Sequence, residues 1–318
     1  MLSLDEIESA AAIVHGAMPS TPQYAWPLLA LRTGCETWVK HENHTPTGAF
    51  KVRGGLVFMD RLKRRAPGTA GVISATRGNH GQSIALAAAR NGIAATIVVP
   101  HGNSVEKNAA MRAFGAALVE AGHDFDAAKE TAMKLADERG LVMVPSFHRD
   151  LVAGVASYAL ELFRAAPPLD TVYVPIGLGS GICGTIAVRD ALGLKTKVVG
   201  VVSTEAPAYA LSFAAGKVVP TNSADTMADG MAVRGPDAEA LDVILRGADR
   251  IVQVSDPEIG TAMRAYYEDT HQLTEGAGAA ALAALLQERD RQAGKLVGLI
   301  LSGGNIDRPV YLRVLDGG

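Results

Sequence analysis

Apolar residues in this chain gather into unbroken runs of four to six, separated by longer stretches where they recur three or four positions apart. An unbroken run is the mark of a strand buried on both faces, and the wider spacing is the stripe of a helix laid over it. The pattern predicts strands at residues 37–40 (TWVK), 71–74 (GVIS), 95–100 (ATIVVP), 117–120, 141–144, 171–176 (TVYVPI), 197–202 (KVVGVV), 250–254 (RIVQV) and 296–301 (LVGLIL). Helices are predicted at 3–15, 82–90, 105–114, 124–139, 153–164, 184–192, 257–268 and 276–291. Local punctuation agrees. Ser3 with Glu6 makes a capping box, Asn91-Gly92, Gly115 and Gly140 end helices, and Pro167-Pro168 breaks one. Strand–helix alternation implies parallel, doubly wound sheets, and its occurrence in two sets implies two lobes with a ligand cleft between them.

Composition narrows the class. A chain of 318 residues allows about two domains. It is 48% hydrophobic but only 5% aromatic, with 34 glycines, which suits close helix-on-sheet packing better than an all-β sandwich. The net charge of −3 suggests neither a nucleic-acid nor a membrane partner. The basic cluster RLKRR at 61–65 reads as the solvated C-terminal end of a helix. Two cysteines, Cys35 and Cys183, make no disulfide framework. With no basic leader and no membrane-length apolar run, the expectation is a soluble cytoplasmic protein.

Four stretches carry candidate chemistry. Residues 42–55, ENHTPTGAFKVRGG, place Lys51 after Phe50 and small residues, with Arg53 close behind. A poorly solvated lysine near another cation favours its neutral amine, a nucleophile. Taken alone, the stretch better describes a lysine whose stem packs on apolar neighbours while its head stays in water. Residues 177–184, GLGSGICG, follow a strand and open a helix, so their N–H groups suit a phosphate. Gly179, Gly181 and Gly184 also satisfy G-x-G-x-x-G, with Glu205 about 20 residues on, so an NAD-dependent oxidoreductase is a rival. Residues 74–82, SATRGNHGQ, bring Thr76, Arg77, Gly78, Asn79 and His80 to a strand–helix junction able to grip a carboxylate and a phenolic oxygen. Residues 301–305, LSGGN, put Ser302 at the end of the last strand.

In this order, TGAFKVRGG, GNHGQ, GLGSG and LSGGN resemble the fold-type II pyridoxal-phosphate enzymes, specifically the serine/threonine dehydratase and serine racemase family. The resemblance runs from about residue 20 to 315, and Asp229-Gly230 and TEGAGAAALAAL from Thr274 also match stretches that line such sites. It implies a tryptophan synthase β-like α/β fold, with residues 1–48 and 145–318 as a large cofactor-binding domain and 49–144 as a small inserted one. It implies pyridoxal 5'-phosphate carried by Lys51 and contacted by Phe50. Asn79 would bond its 3' oxygen, Gly177, Leu178, Gly179, Ser180 and Gly181 would cradle its phosphate, and Ser302 would face its ring nitrogen. Thr76, Arg77, Gly78 and His80 would meet the amino-acid substrate. The implied reaction is dehydration and deamination of an L-threonine or L-serine type substrate to a 2-oxo acid and ammonia. Alternatives are a bulkier substrate such as phenylserine or a hydroxyectoine-pathway intermediate, and racemisation. Homodimers are usual for the family. Three departures bear on these expectations. Arg77 stands where racemases carry a serine, and a guanidinium cannot act as a base. Val201 stands where many relatives place an acidic metal ligand, with Glu205 a few residues late, so no metal is expected. The chain also stops soon after LSGGN, so no effector domain is expected.

Overall fold

In the computed structural model, which describes residues 2–317, ten strands form two sheets. They are β1 (Gln23–Ala25), β2 (Glu36–His41), β3 (Gly71–Ala75), β4 (Ala94–Val99), β5 (Ala117–Glu120), β6 (Val142–Met143), β7 (Thr171–Pro175), β8 (Lys197–Ser203), β9 (Arg250–Val254) and β10 (Leu296–Leu301). The larger sheet has the order β1-β2-β10-β7-β8-β9 and the smaller β5-β4-β3-β6. Every pairing is parallel except that of β1 with β2, so an antiparallel edge strand completes an otherwise parallel sheet. In the register of β10 on β2, Leu301 lies beside His41, so both chains leave the sheet at the same end.

The buried strands match their apolar runs because flanking helices cover both faces. β3 and β7 are buried at all five positions. The helix Leu4–His15 has the expected capping box between Ser3 and Glu6. Besides Arg149–Ala165, which starts four residues before the predicted 153, two helices with glycine-rich starts begin earlier than their apolar stripes indicate, Asn79–Asn91 by three residues and Ser180–Ala191 by four. Their polar and glycine-rich opening turns read as loop in sequence, yet they are helical and point free N–H groups at the cleft. The stretch 276–291 is not one helix. It stops at Gln287 and resumes at Arg289, with Glu288 between them bonded to Arg250 and Tyr173. β1 and the helices Pro27–Thr33, Ala208–Ala215, Ala238–Gly247 and Arg308–Leu315 were not foreseen, being short or weakly striped. RLKRR does end a helix, Lys51–Arg65, but Arg61 and Arg65 both bond Asp150, so that end is tied down as well as solvated.

The largest apolar cluster reaches from Ile7 and Val14 through Val57, Leu151 and Tyr158 to Ile182 and Ile186, so packing is continuous between the sheets. Each fully buried aliphatic side chain there contributes about 1.5–3 kcal/mol. At its centre the helices Lys51–Arg65 and Arg149–Ala165 cross at a glycine pair. A Cβ on Gly154 would lie 2.2 Å from the Arg53 carbonyl oxygen, and one on Gly54 would lie 2.9 Å from that of Leu151. This close crossing sets the height at which Lys51 enters the cleft.

Candidate active site

A cleft of about 1010 Å³ opens between the sheets, and it is lined by the four stretches singled out in the sequence. The first and last are stitched together. Phe50 N–H donates to the Ser302 carbonyl at 3.0 Å, Gly304 N–H to that of Gly48 at 2.9 Å, and Ala49 bridges Gly303. Lys51 is the first residue of its helix. Some of its surface faces the cleft, but its Nζ lies deep among protein atoms, and this loss of hydration lowers its pKa from 10.5 to about 8. Nζ donates to Ser180 Oγ at 3.2 Å and lies 4.9 Å from the Phe50 ring centroid.

The sequence reading gave Arg53 a share in that shift, and the structure corrects it. Arg53 is fully buried and turned away, its guanidinium bonded to Glu42, Glu161, Ser157 and Thr21. Lys40 joins the same cluster through Glu161 at 2.6 Å. The two cations and two carboxylates balance, so Arg53 exerts little net field on Lys51. Burial alone lowers the Lys51 pKa.

The glycine-rich turn follows β7 and leads into the helix Ser180–Ala191, the geometry expected for an anion site. Gly179 has φ +99°, where a side chain would be strained, and its Cβ would meet that of Ala240 at 2.7 Å. A Cβ on Gly177 would lie 2.4 Å from the Gly230 carbonyl oxygen. Leu178 turns its carbonyl to accept from Tyr209, and Gly181 turns its own to accept from Tyr158. The turn is thus held from behind and leaves its N–H groups facing the cleft. Glu205, which a dinucleotide ribose would require, is exposed beyond β8 and is not among the cleft-lining residues.

The loop after β3 holds Thr76, Arg77, Gly78, Asn79 and His80 on the opposite wall. Thr76 Oγ1 accepts from the N–H groups of Gly78 and Gly81 at 3.0 and 3.3 Å, so its oxygen shapes the loop. Asn79 Nδ2 donates to Glu275 Oε1 at 2.6 Å, and Asn79 Oδ1 accepts from Asn305 Nδ2 at 2.8 Å. The second Asn79 N–H has no partner among the described residues. His80 is buried with Nε2 unpartnered. Burial, then the nearby Lys51 charge, lowers its pKa to about 3, so it is neutral. Arg77 is exposed on the cleft and has no hydrogen-bond or ion-pair partner among the described residues. Ser302 is buried on the cleft floor.

Lys107 and Glu275 were missed as site residues, although Glu275 lies within the TEGAGA stretch. Lys107 Nζ bonds Asp229 at 2.7 Å and Glu275 at 3.4 Å. Nothing in the sequence singles out one lysine of an ordinary helix as buried.

A phosphate-bearing aldehyde fits this cleft. A dehydrated amine faces it, an N–H-rich helix start adjoins that amine, and an amide N–H, a buried imidazole nitrogen and a hydroxyl lack protein partners around it. Comparison with known proteins agrees. Residues 15–303 match the family described as pyridoxal-phosphate dependent enzyme. The chain is 33% identical to the L-threonine ammonia-lyase of Thermotoga maritima, over 100% of this chain and 79% of the relative. It is 32% identical to the L-threo-3-hydroxyaspartate ammonia-lyase of a Pseudomonas species, over 99% of both. The solved maize serine racemase superposes with TM-score 0.92 at 27% identity, covering 99% of this chain and 97% of that one. Cleft, glycine-rich turn and relatives together place this chain in the family of pyridoxal-phosphate dependent enzymes.

Proposed function

We propose that the protein dehydrates a β-hydroxy-α-amino acid to an enamine, which tautomerises to the imine and takes up water again on hydrolysis, so that the net products are a 2-oxo acid and ammonia. The observation that carries this is the Lys51 amine, desolvated to a pKa of about 8 and set against Ser180 at the start of the glycine-turn helix. Pyridoxal phosphate, when bound, supplies the electron sink that makes a Cα proton removable. The chain's residues do the rest. Lys51 would carry the cofactor, and its free amine would take the substrate's Cα proton as a general base. The N–H groups of Gly177, Leu178, Gly179, Ser180 and Gly181 would hold the phosphate, the free Asn79 N–H would hold the phenolic oxygen, Phe50 would pack beside the ring and Ser302 would face its nitrogen. A neutral hydroxyl there, in place of a carboxylate, would not favour protonation of that nitrogen. Ser302 would thereby suit elimination of the β-hydroxyl better than racemisation. Arg77 cannot exchange a proton on the opposite face, which disfavours racemisation.

The test is release of 2-oxo acid and ammonia by purified protein on a panel of L-threonine, L-serine, threo-3-hydroxyaspartate and phenylserine. Lys51→Ala should abolish it, and equal turnover by the variant would sink the mechanism. Arg77, exposed and unpartnered, favours one further reading among these substrates, a second carboxylate beyond the β-carbon. Preference for hydroxyaspartate that disappears in Arg77→Ala supports it. Preference for phenylserine assigns the pocket to the apolar wall of Phe125, Met133 and Phe147 instead. Gly78 and Thr76 shape the same wall, and His80 backs it.

Sheet membership supports the division into 49–144 and the remainder, since β3 to β6 form the smaller sheet by themselves. A homodimer is supported by exposed Leu28, Leu31, Tyr267 and Leu312 on three helices that pack together. A monomer mass by light scattering at assay concentration would refute it.

A further inference from the structure

We infer that Lys107 is a positioning residue for the cofactor, setting the Asn79 amide through Glu275. The inference rests on the pyridoxal-phosphate site described above. Lys107 lies on the helix Val105–Ala113, among the smaller sheet's elements, whereas Asp229 and Glu275 belong to segments around the larger sheet. Its side chain crosses between them almost without solvent contact. The crossing is built in on both sides. A Cβ on Gly78 would lie 2.4 Å from Lys107 Cδ, and one on Gly303 would lie 2.5 Å from Glu275 Oε1. Both glycines belong to the loops proposed to touch the cofactor, so these loops leave the room that the ion pair fills. The same helix end is anchored nearby, where Ser104 Oγ donates to Asp307 and Arg308 N–H donates to Glu106.

The connection from Lys107 to Asn79 depends on charge. An ionised carboxylate only accepts hydrogen bonds, so beside Glu275 the Asn79 amide must present its N–H end, with its oxygen turned to Asn305. This leaves one Asn79 N–H to donate into the cleft. Burial pushes the Glu275 carboxyl above the usual range, the Lys107 ammonium pulls it back, and the Asp229 charge pushes it up again. Lys107 is the cation that opposes protonation. A protonated Glu275 gains an O–H donor and no longer dictates which end of the Asn79 amide it faces, so only the Asn305 Nδ2 donor still holds the Asn79 oxygen in place and the N–H that would meet the cofactor is less firmly set. The groups facing Glu275 are Lys107, Asp229 and the neutral Asn79, and of these Lys107 alone is cationic.

Holoenzyme dialysed to equilibrium against graded pyridoxal phosphate reports the apparent Kd through the bound-cofactor absorbance. Lys107→Met should weaken binding roughly tenfold, the scale of loss when a group that orients a ligand contact is removed. Its deficit should change between about pH 6 and pH 9, because Glu275 then titrates without its cation. Lys107→Met with Glu275→Gln buries no carboxyl at that position and should bind more tightly than the single variant, with a deficit that does not vary with pH. The double variant also guards against a single variant that fails to fold. A Lys107→Met holoenzyme within twofold of the parent overturns the inference. So does an equal, pH-independent loss in both variants, which would mark Lys107 as helix packing only. Lys51→Ala separates the two levels. If it keeps the parent's cofactor affinity and absorbance, the site assignment itself is wrong. If it loses them while Lys107→Met does not, only this inference fails.

Discussion

Lys51 and Arg53 show how two cations two residues apart acquire opposite tasks. Lys51 has one hydroxyl partner and a desolvated amine, whereas Arg53 is saturated by carboxylates. With the Lys51 pKa near 8, the neutral amine dominates above about pH 8, where ordinary surface lysines remain charged. An amine-acylating reagent at about pH 8.5 should therefore label Lys51 in cofactor-stripped protein well before surface lysines. Peptide mapping that finds Lys51 no faster than its neighbours would contradict the assigned environment. Arg53→Met should destabilise the fold by about 3–5 kcal/mol, because it leaves the buried Glu42 and Glu161 with Lys40 as their one permanently charged partner among the described residues, beside His15 on Glu161. Denaturant unfolding measures this. The Glu161 carboxyl resists the upward push of burial because Arg53 bonds hold its pKa near 2, below its ordinary 4.5. Its stabilising contribution is thus present above about pH 4.5 and is lost as pH falls towards 2. Acid unfolding of Arg53→Met should begin at higher pH than in the parent. The lysine's place in a motif was legible in sequence, but the direction of each ammonium or guanidinium was not, because pairing depends on residues up to 129 positions away.

At the scale of elements, the decisive contacts are helix crossings and strand ends. Gly154→Ala places a methyl against the Arg53 carbonyl and forces the two central helices apart. The expected cost is about 1–3 kcal/mol, with a larger fall in kcat than in thermal stability, since Lys51 rides on one of those helices. Unchanged turnover with lowered stability would show that the crossing does not set the lysine. The strands were legible because continuous apolar runs have few other solutions. The catalytic helix starts were misplaced by three and four residues because polar, glycine-rich turns carry no apolar stripe. Neither start has a side-chain cap at its first residue; Thr76 of the preceding loop accepts the Gly81 N–H of one of them, a contact set by the loop's fold rather than by any local pattern.

At the scale of the whole molecule, the two sheets meet through a shared apolar cluster and through ion pairs across the cleft. Lys107 joins Asp229 and Glu275, and Arg234 reaches Asp126 near the mouth. Arg234→Ala should raise KM with little change in kcat, because the pair is half-exposed and lies at the entrance rather than beside Lys51. A fall in kcat alone would assign Arg234 a place beside the reacting groups. Ionic strength should act in the same direction on the parent, since half-exposed pairs are screened.

The alternation of apolar runs and helical stripes determined an α/β fold with parallel sheets, and the spacing of four short motifs determined the family. Both are local properties, fixed by the periodicity of the backbone and by which residues fit a turn or a phosphate. The antiparallel edge strand, the break at Glu288, the neutralised Arg53 and the bridging Lys107 were decided only by the tertiary structure. Each depends on a partner distant in sequence, and burial turns such a partnership from a weak surface pair into a requirement.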